Sequence, residues 1–168
     1  MIVLSHPTVN AFNRALAEEF EREGMLEKFH TTLAFGRRTL ALPSRRVAYH
    51  PWREIARLAA QKLGISVNAN GAFGVDAVYR SLDAAVARRL GAAAGVYAYE
   101  DGALASFRAA RERGARCFYE LPIAYWETSQ RLLREEAERL PPIQLHFIRA
   151  SRRGAEKQCV TDDKAQPD

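Results

Sequence analysis

Residues 95–120 read GVYAY EDG ALASFRAARERG ARCFYE, and this stretch carries the clearest folding signal in the chain. Its first apolar run, which ends at Tyr99, is typical of a buried strand, and the polar residues after it indicate a tight turn. Apolar residues then recur at helical spacing until Gly114, and a second apolar run spans 115–119. A strand, a helix and a strand in succession predict a βαβ unit with parallel strands.

The same alternation extends outward from this unit. Ile2 to Ser5 is predicted to be a strand, and a further strand is expected from Thr31 to Phe35. The segment 39–50 contains Pro43 and is expected to be mainly loop. The predicted fold is therefore an α/β, Rossmann-like parallel sheet with helices on both faces.

Four more helices are predicted from apolar residues that return at helical spacing. The members of these stripes are Phe12, Leu16 and Phe20; Trp52, Ile55, Ala59 and Leu63; Val78, Leu82, Val86 and Leu90; and Trp126, Leu133, Ala137 and Leu140. Asn10 is the expected N-terminal cap of the first helix, and Pro51 stands where the second can begin. Glycine ends four helical patterns, at positions 24, 64, 91 and 114, which supports these assignments.

The composition of the chain limits the classes of protein to which it can belong. The chain has 168 residues, of which 48% are hydrophobic, and this suits one domain with a substantial core. The net charge of +5 does not require a nucleic-acid partner, and two cysteines are too few for a disulfide scaffold. No apolar run approaches the roughly 20 residues of a transmembrane helix, and the first residues lack the features of a signal peptide. We therefore expect a reduced, cytoplasmic protein.

Ligands of parallel α/β sheets bind at the carboxyl ends of the strands. Three predicted loops reach that edge, and they span 5–10, 99–102 and 120–126. The first loop has no glycine-rich dinucleotide fingerprint, and a Walker-type phosphate loop is absent from the sequence. We therefore predict no nucleotide cofactor for this domain.

Two adjacent acids, Glu100 and Asp101, lie in the turn after the central strand. A carboxylate there can accept a proton from an attacking hydroxyl or hold a sugar hydroxyl, so both are candidate catalytic residues. The alternative is structural, because Asp101 could cap the following helix while Glu100 complements its dipole.

The first loop supplies His6, Thr8 and Asn10 as candidate substrate contacts. A histidine suits proton transfer near neutral pH, although a single loop histidine is more often structural. Glu120, which closes the last strand, is a further candidate. Tyr125 and Trp126 follow it and could form an aromatic platform for a sugar ring, or Trp126 could start the core stripe of its helix.

Other reactive residue types form no recognisable pattern. His30, His50 and His146 are scattered, and neither cysteine has a C-x-x-C partner, so we predict no metal site. Cys117 lies in an apolar run and is expected to pack in the core. Four arginine pairs start at positions 37, 45, 88 and 152. The first two surround one loop and could contact anionic lipid head groups or a phosphate, or they could be solvated surface.

Several short segments together resemble the N-terminal domain of bacterial family 4 (group 1) glycosyltransferases. In chain order these segments read SHPT at 5–8, FHTTL at 29–33, HPWRE at 50–54, VDAVY at 75–79, YAYEDGAL at 97–104, LPI at 121–123 and YW at 125–126. They span roughly residues 1–141. The resemblance implies one half of a GT-B architecture, in which two Rossmann-like domains face each other across a cleft.

In that family the N-terminal domain binds the acceptor, and the C-terminal domain binds the nucleotide-sugar. The reaction is a retaining transfer to a hydroxyl, typically without a bound metal. The resemblance places His6, Glu100, Asp101, Tyr125 and Trp126 at the cleft. It implies a sugar-containing or lipid-linked acceptor, a nucleotide-sugar donor only with a second domain, no nucleic acid, and peripheral contact with the inner membrane as an option.

The last part of the chain departs from the family pattern. We expect the domain to span 1–142 and residues 143–168 to be a divergent, disordered tail, because 151–168 is polar and lacks an apolar stripe. The expected product is a truncated acceptor-binding domain that is inactive by itself. The alternative is a stand-alone Rossmann-like module that pairs with a separate donor-domain protein.

Overall fold

A computed structural model describes residues 1–34, 40–65, 67–68, 71–121 and 126–139 of the chain. The chain divides into two compact units, Met1–Glu120 and Leu121–Asp168. The described part of the second unit is Leu121 and the helix Trp126–Arg139, which confirms the helix predicted there. The proposed tail at 143–168 lies outside the described residues.

The first unit alternates strands and helices as expected. Its strands are β1 (Ile2–Ser5), β2 (Leu26–Thr31), β3 (Val47–Tyr49), β4 (Gly95–Tyr99) and β5 (Arg116–Glu120). Its helices are α1 (Ala11–Arg22), α2 (Trp52–Lys62), α3 (Val75–Ala87) and α4 (Leu104–Glu112), and the helix of the second unit is α5. The five strands form one sheet in the order β3-β2-β1-β4-β5. All neighbouring strands are parallel, which is a Rossmann-like arrangement.

Both faces of the sheet carry an apolar core. On one face Val3 and Val96 pack with Leu82 and Val86 of α3, and α4 completes this cluster. On the opposite face Leu4 and Phe29 belong to a second cluster with residues of α1. Alternate residues of β1 and β4 therefore supply the two clusters, and the prediction of helices on both faces is confirmed.

The central elements match the sequence closely. β1 and β4 have the predicted bounds, and β5 starts one residue later than expected. The predicted stripe of α3 is entirely buried, at 3% exposure or less for each of its four members. The four helix-ending glycines have positive φ angles between 55° and 71°, which is the left-handed conformation that glycine adopts without strain.

The second strand lies earlier than predicted. β2 ends at Thr31, where the sequence had suggested a strand would begin. Leu26 and Phe29 both fill the core cluster on the α1 side, although an odd spacing should place them on opposite faces. The register slips by one residue between Ile2 and Val3 of β1, and this irregularity reconciles the two positions. Because residues 27 and 28 are charged, this segment contains no continuous apolar run and was not predicted as a strand.

The segment predicted as loop contains an edge strand. A short 3-10 helix, Ser44–Arg46, leads into β3, which pairs with β2. Three residues carry little periodicity by themselves, so the pairing partner rather than the local sequence defines this strand.

The two helices predicted before α3 bury their stripes to different degrees. In α1, Leu16 and Phe20 pack against the core beside the buried Ala17, whereas Phe12 is 59% exposed. In α2 the buried residue is Ala60, and the members of the predicted stripe lie in solvent. The periodicity correctly predicted both helices and most of the buried face of α1, and it was wrong about the buried face of α2.

Candidate functional site

The carboxyl edge of the sheet brings together the loops after β1 and β4 and the last residue of β5. β1 lies between β2 and β4, so the chain leaves β1 toward one side of the sheet and later returns to the other. Open α/β sheets form a ligand crevice at such a reversal of strand order. The residues that follow these strands are therefore the first place to search for a site.

Hydrogen bonds fix the loop after β1 in place. The backbone N–H of His6 donates to the His30 carbonyl over 3.0 Å, and the Thr32 hydroxyl donates to the Pro7 carbonyl over 2.6 Å. The Asn13 side-chain amide donates to the Thr8 carbonyl over 2.8 Å. This loop is consequently held by both β2 and α1, which positions the His6 ring.

The His6 side chain is buried and neutral. It is 3% exposed, and burial lowers its pKa to about 4. The Thr8 N–H donates to Nδ1 over 3.2 Å, so the proton of the neutral ring resides on Nε2. Nε2 is buried and has no hydrogen-bond partner in the described part of the chain. His6 thus carries an unused N–H donor.

Tyr99, the last residue of β4, contacts His6, Tyr79 and Glu100. The two rings have centroids 4.4 Å apart at a tilt of 55°. Tyr79 of α3 meets the Tyr99 ring edge to face, with centroids 6.1 Å apart. The Tyr99 hydroxyl donates to Glu100 Oε1 over 3.5 Å, and burial beside this carboxylate raises the pKa of Tyr99 to about 12. Tyr99 is therefore a hydrogen-bond donor at neutral pH.

Two buried carboxyl groups complete this edge. Glu100 and Glu120 are each 9% exposed, and Oε2 of each lacks a hydrogen-bond partner among the described residues. The Glu100 N–H donates to the Glu120 carbonyl over 3.0 Å, which ties the ends of β4 and β5 together. Burial raises the pKa of both carboxyl groups, and the charge of Asp101 raises that of Glu100 further.

We call His6, Tyr79, Tyr99, Glu100 and Glu120 the strand-end cluster. It offers an N–H donor, carboxyl oxygens that can accept, and two aromatic rings. A ligand hydroxyl can both donate and accept, so it can satisfy either kind of unused group. Glu100 also has the raised pKa that suits a general base or acid.

Asp101 lies beside this cluster in a special backbone conformation. Its φ angle is 62°, in the left-handed region that aspartate tolerates better than most residues, and it is exposed. The N-cap position of α4 is Ala103 rather than Asp101. The carboxylate of Asp83 in α3 accepts from the N–H groups of Ala105 and Ser106 over 2.6 and 2.9 Å, and so performs that capping.

The remaining predicted substrate contacts have different positions. Asn10 caps α1 as expected, and its side chain accepts from the Asn13 N–H over 3.0 Å while Asn13 reciprocates. Thr8 is exposed, and its N–H orients His6. Tyr125 lies outside the described residues, as does the side chain of Trp126, the first residue of α5. Their role in a site stays a prediction.

No sequence pattern indicated that His30 and His50 meet. Nδ1 of His30 lies 2.9 Å from Nε2 of His50, and the rings stack with an interplanar angle of 11°. Burial lowers the pKa of His30 to about 3 and also lowers that of His50, so both rings are neutral and one shared proton joins them. The pairing of β2 with β3 creates this contact between residues twenty positions apart.

Within the described ranges, no three His, Cys, Asp or Glu side chains are arranged to hold a metal ion. None of the described helices combines the length and the apolar character needed to span a bilayer.

Comparison with known proteins returned no relatives. No protein-family model, no curated protein and no solved structure matches the chain. The resemblance to glycosyltransferases therefore rests on the sequence segments alone.

Proposed function

We propose that this chain is the acceptor-binding domain of a retaining glycosyltransferase, an enzyme that moves a sugar from a nucleotide-sugar to a hydroxyl acceptor. One observation carries the proposal. His6 Nε2, Glu100 Oε2 and Glu120 Oε2 are buried polar atoms of the strand-end cluster, and none has a partner in the described structure. Unsatisfied buried groups are costly, so they are typical of a site that a ligand completes.

The charges of the cluster favour a neutral, hydroxyl-rich ligand. His6 is neutral at pH 7, whereas Glu100, Asp101 and Glu120 are acidic. A phosphate group would be repelled by these carboxyl groups. A sugar hydroxyl can donate to a carboxylate and accept from the His6 N–H, and its ring can pack on an aromatic face. This polarity supports an acceptor site rather than a nucleotide-sugar site.

Glu100 is the proposed base. In the transfer, the acceptor oxygen bonds to the anomeric carbon of the donor sugar, on the face from which the phosphate leaves, as the bond from that carbon to the phosphate oxygen breaks. The proton of the acceptor hydroxyl passes to the Glu100 carboxylate, whose pKa is raised by burial and by Asp101. The donor itself would be bound by the second domain that the family resemblance implies, and no bound metal is proposed.

Glycan binding tests the proposal directly. The purified chain is applied to an array of mono- and oligosaccharides, and the best glycan is then titrated by calorimetry. The variant H6F should weaken its affinity about tenfold, because one hydrogen bond to a neutral donor is lost. H6Q should retain most of the affinity, since the amide can place an N–H near the former Nε2.

A matched pair of charge changes completes the experiment. E100Q should weaken glycan binding, whereas E112Q, on the exposed end of α4, should leave it unchanged. Thermal unfolding confirms that each variant is folded. Equal affinity of H6F, E100Q and E112Q for the glycan, or no saturable binding to any sugar, contradicts the proposal.

A second candidate is a stand-alone module that pairs with a separate donor-domain protein. It is favoured by the exposed apolar stripe of α2, where Trp52 is 80% and Leu63 is 77% exposed. The chain would be affinity-purified from its native cells, and nucleotide-sugar transfer measured in the eluate. Transfer that is present with the natural chain and absent with W52S/L63S supports pairing, and an inactive eluate from both contradicts it.

A further inference from the structure

A cavity of about 350 Å³ lies beside the edge strand and shares no residue with the strand-end cluster. Its lining comes from the end of β3, the start of α2 and the last two turns of α3. The charged residues of the lining are Arg53, Arg88 and Arg89, and no carboxylate is among its lining residues. Its size is at the lower end of the range for small-ligand sites, about 300–1,000 Å³.

The two arginines that directly follow α3 are not neutralised locally. In the part of the chain that the structure describes, neither Arg88 nor Arg89 forms an ion pair with an acidic side chain. Arg89 uses one N–H on the Ala85 carbonyl, 3.3 Å away, which leaves most of its donors for another group. Both charges act on the lining residue His50, whose pKa they lower together with burial. The positive field of this pair is therefore felt inside the cavity.

The start of α2 adds further donors on the same lining. Trp52 and Arg53 are the first two residues of this eleven-residue helix, and its N-cap residue, Pro51, makes no side-chain capping hydrogen bond. The free backbone N–H groups of such a terminus favour an anion. Arg53 donates to the Ala72 carbonyl over 3.4 Å, which holds its guanidinium at the cavity. The hydroxyl of Ser81 is a neutral donor of the same lining.

We infer that this cavity binds the phosphate of a small phosphorylated ligand. Three guanidinium groups exceed what one carboxylate can compensate, and they match the multiple charge of a phosphate ester or diphosphate. The Trp52 ring, which is 80% exposed, lies at the lining and can cover the planar or sugar part of such a ligand. This inference does not depend on the proposed glycosyltransferase function, because the acidic strand-end cluster selects a different ligand.

The test uses inorganic pyrophosphate as the probe, titrated into the full chain labelled with nitrogen-15 at constant ionic strength. Saturable shifts are expected at the Trp52 indole N–H and at the amides of His50, Ser81 and Arg88. The double variant R88S/R89S should weaken binding by at least about tenfold, as expected for the loss of charge-assisted hydrogen bonds.

The control removes two arginines from the equivalent end of another helix. Arg113 donates to the Ala109 carbonyl over 2.8 Å, as Arg89 does to Ala85, and Arg111 is also exposed. The variant R111S/R113S should bind pyrophosphate as tightly as the natural chain. Equal weakening in both double variants, or shifts that never saturate, would show a general charge effect and overturn the inference.

A third arm separates a soluble ligand from a lipid head group. The chain is sedimented with vesicles of phosphatidylcholine that contain phosphatidylglycerol. Binding to these vesicles without saturable pyrophosphate binding would overturn the inference of a small phosphorylated ligand. Pyrophosphate binding that depends on Arg88 and Arg89 supports it.

Discussion

Helices α2 and α3 were predicted from the same kind of apolar stripe, yet only one of them buries it. In α3 the stripe packs against β1 and β4, and Leu82 is 3% exposed. In α2 the corresponding stripe faces solvent, and Trp52 is 80% exposed. The difference follows from position, because α3 covers central strands while α2 follows β3, the edge strand of the sheet.

The comparison shows that apolar residues at helical spacing can form either a buried face or an exposed face of a helix. A stripe stabilises the fold only where a neighbouring element can remove it from water. α3 has the sheet on one side and α4 on another, and Asp83 links it to the start of α4. The stripe of α2 instead remains available for a ligand or a partner.

The largest effect is expected from the same substitution on the two helices. Leu82→Ala should lower the free energy of unfolding by about 3 kcal/mol, since it leaves a cavity in the core. Leu58→Ala on α2, where leucine is 41% exposed, should cost less than about 1 kcal/mol. Urea unfolding of both variants measures the difference. Similar losses would break the distinction between the helices.

The next effect is the pH dependence of the free energy of unfolding, to which the buried His30 contributes. The unfolded chain binds a proton on His30 near pH 6.5, whereas the folded chain does so only near its lowered pKa of about 3. Between these values the unfolded state holds more protons, so stability falls as pH falls. From pH 7 to pH 5 the loss should be about 2 kcal/mol for this histidine.

The burial of His6 also makes stability fall as pH falls, because it lowers the pKa of His6 to about 4. Urea unfolding at several pH values measures the total loss, and H30L should flatten the curve. Hydrogen exchange adds the regional test. Since His50 immediately precedes Pro51 and α2, amides of α2 should lose protection on acidification before those of α3. Unchanged stability between pH 7 and pH 5 would contradict neutral, buried histidines.

A smaller effect is expected at the link between α3 and α4. Asp83→Asn keeps one acceptor oxygen but weakens the paired hydrogen bonds to Ala105 and Ser106, so stability should fall by about 1 kcal/mol. Hydrogen exchange should be faster in the first turn of α4. Glu112→Gln, at the exposed end of the same helix, serves as the control. Unaltered protection of Ser106 in D83N would argue against the capping role.

The smallest effect is predicted for the exposed stripe itself. Trp52→Ser should change the free energy of unfolding by less than about 0.5 kcal/mol, although it removes the largest side chain of α2. Thermal or urea unfolding checks this. A loss above about 1.5 kcal/mol would mean that the stripe of α2 is covered in the folded chain.

The candidate site was partly predictable because sheet topology obeys general rules. Apolar runs located β1 and β4, and parallel sheets bind ligands at their carboxyl ends, so His6, Glu100 and Glu120 could be named in advance. The burial of these side chains and their hydrogen bonds could not be predicted, because both depend on neighbours from other elements. Tyr79 joins the cluster through α3, and the sequence placed it only beside Val78 of the predicted apolar stripe.

The remaining features that the sequence did not predict also depend on contacts between separate segments. β3 is three residues long and exists because β2 offers it hydrogen-bonding partners. The slip in register between β1 and β2 lets Leu26 and Phe29 share a face, and no local pattern shows this. Asp83 was not singled out from the sequence, but it caps a helix that begins twenty-one positions later.

The sequence alone determined the α/β class, the βαβ unit from residue 95 to residue 120, and the helix ends marked by glycine. These features depend on local backbone preferences and on the spacing of apolar residues within one segment. Tertiary structure alone decided which face of α2 stays in water, that His30 meets His50, and that three arginines line one cavity. Each of these depends on distances between segments far apart in the chain, and strand pairing and helix packing set those distances.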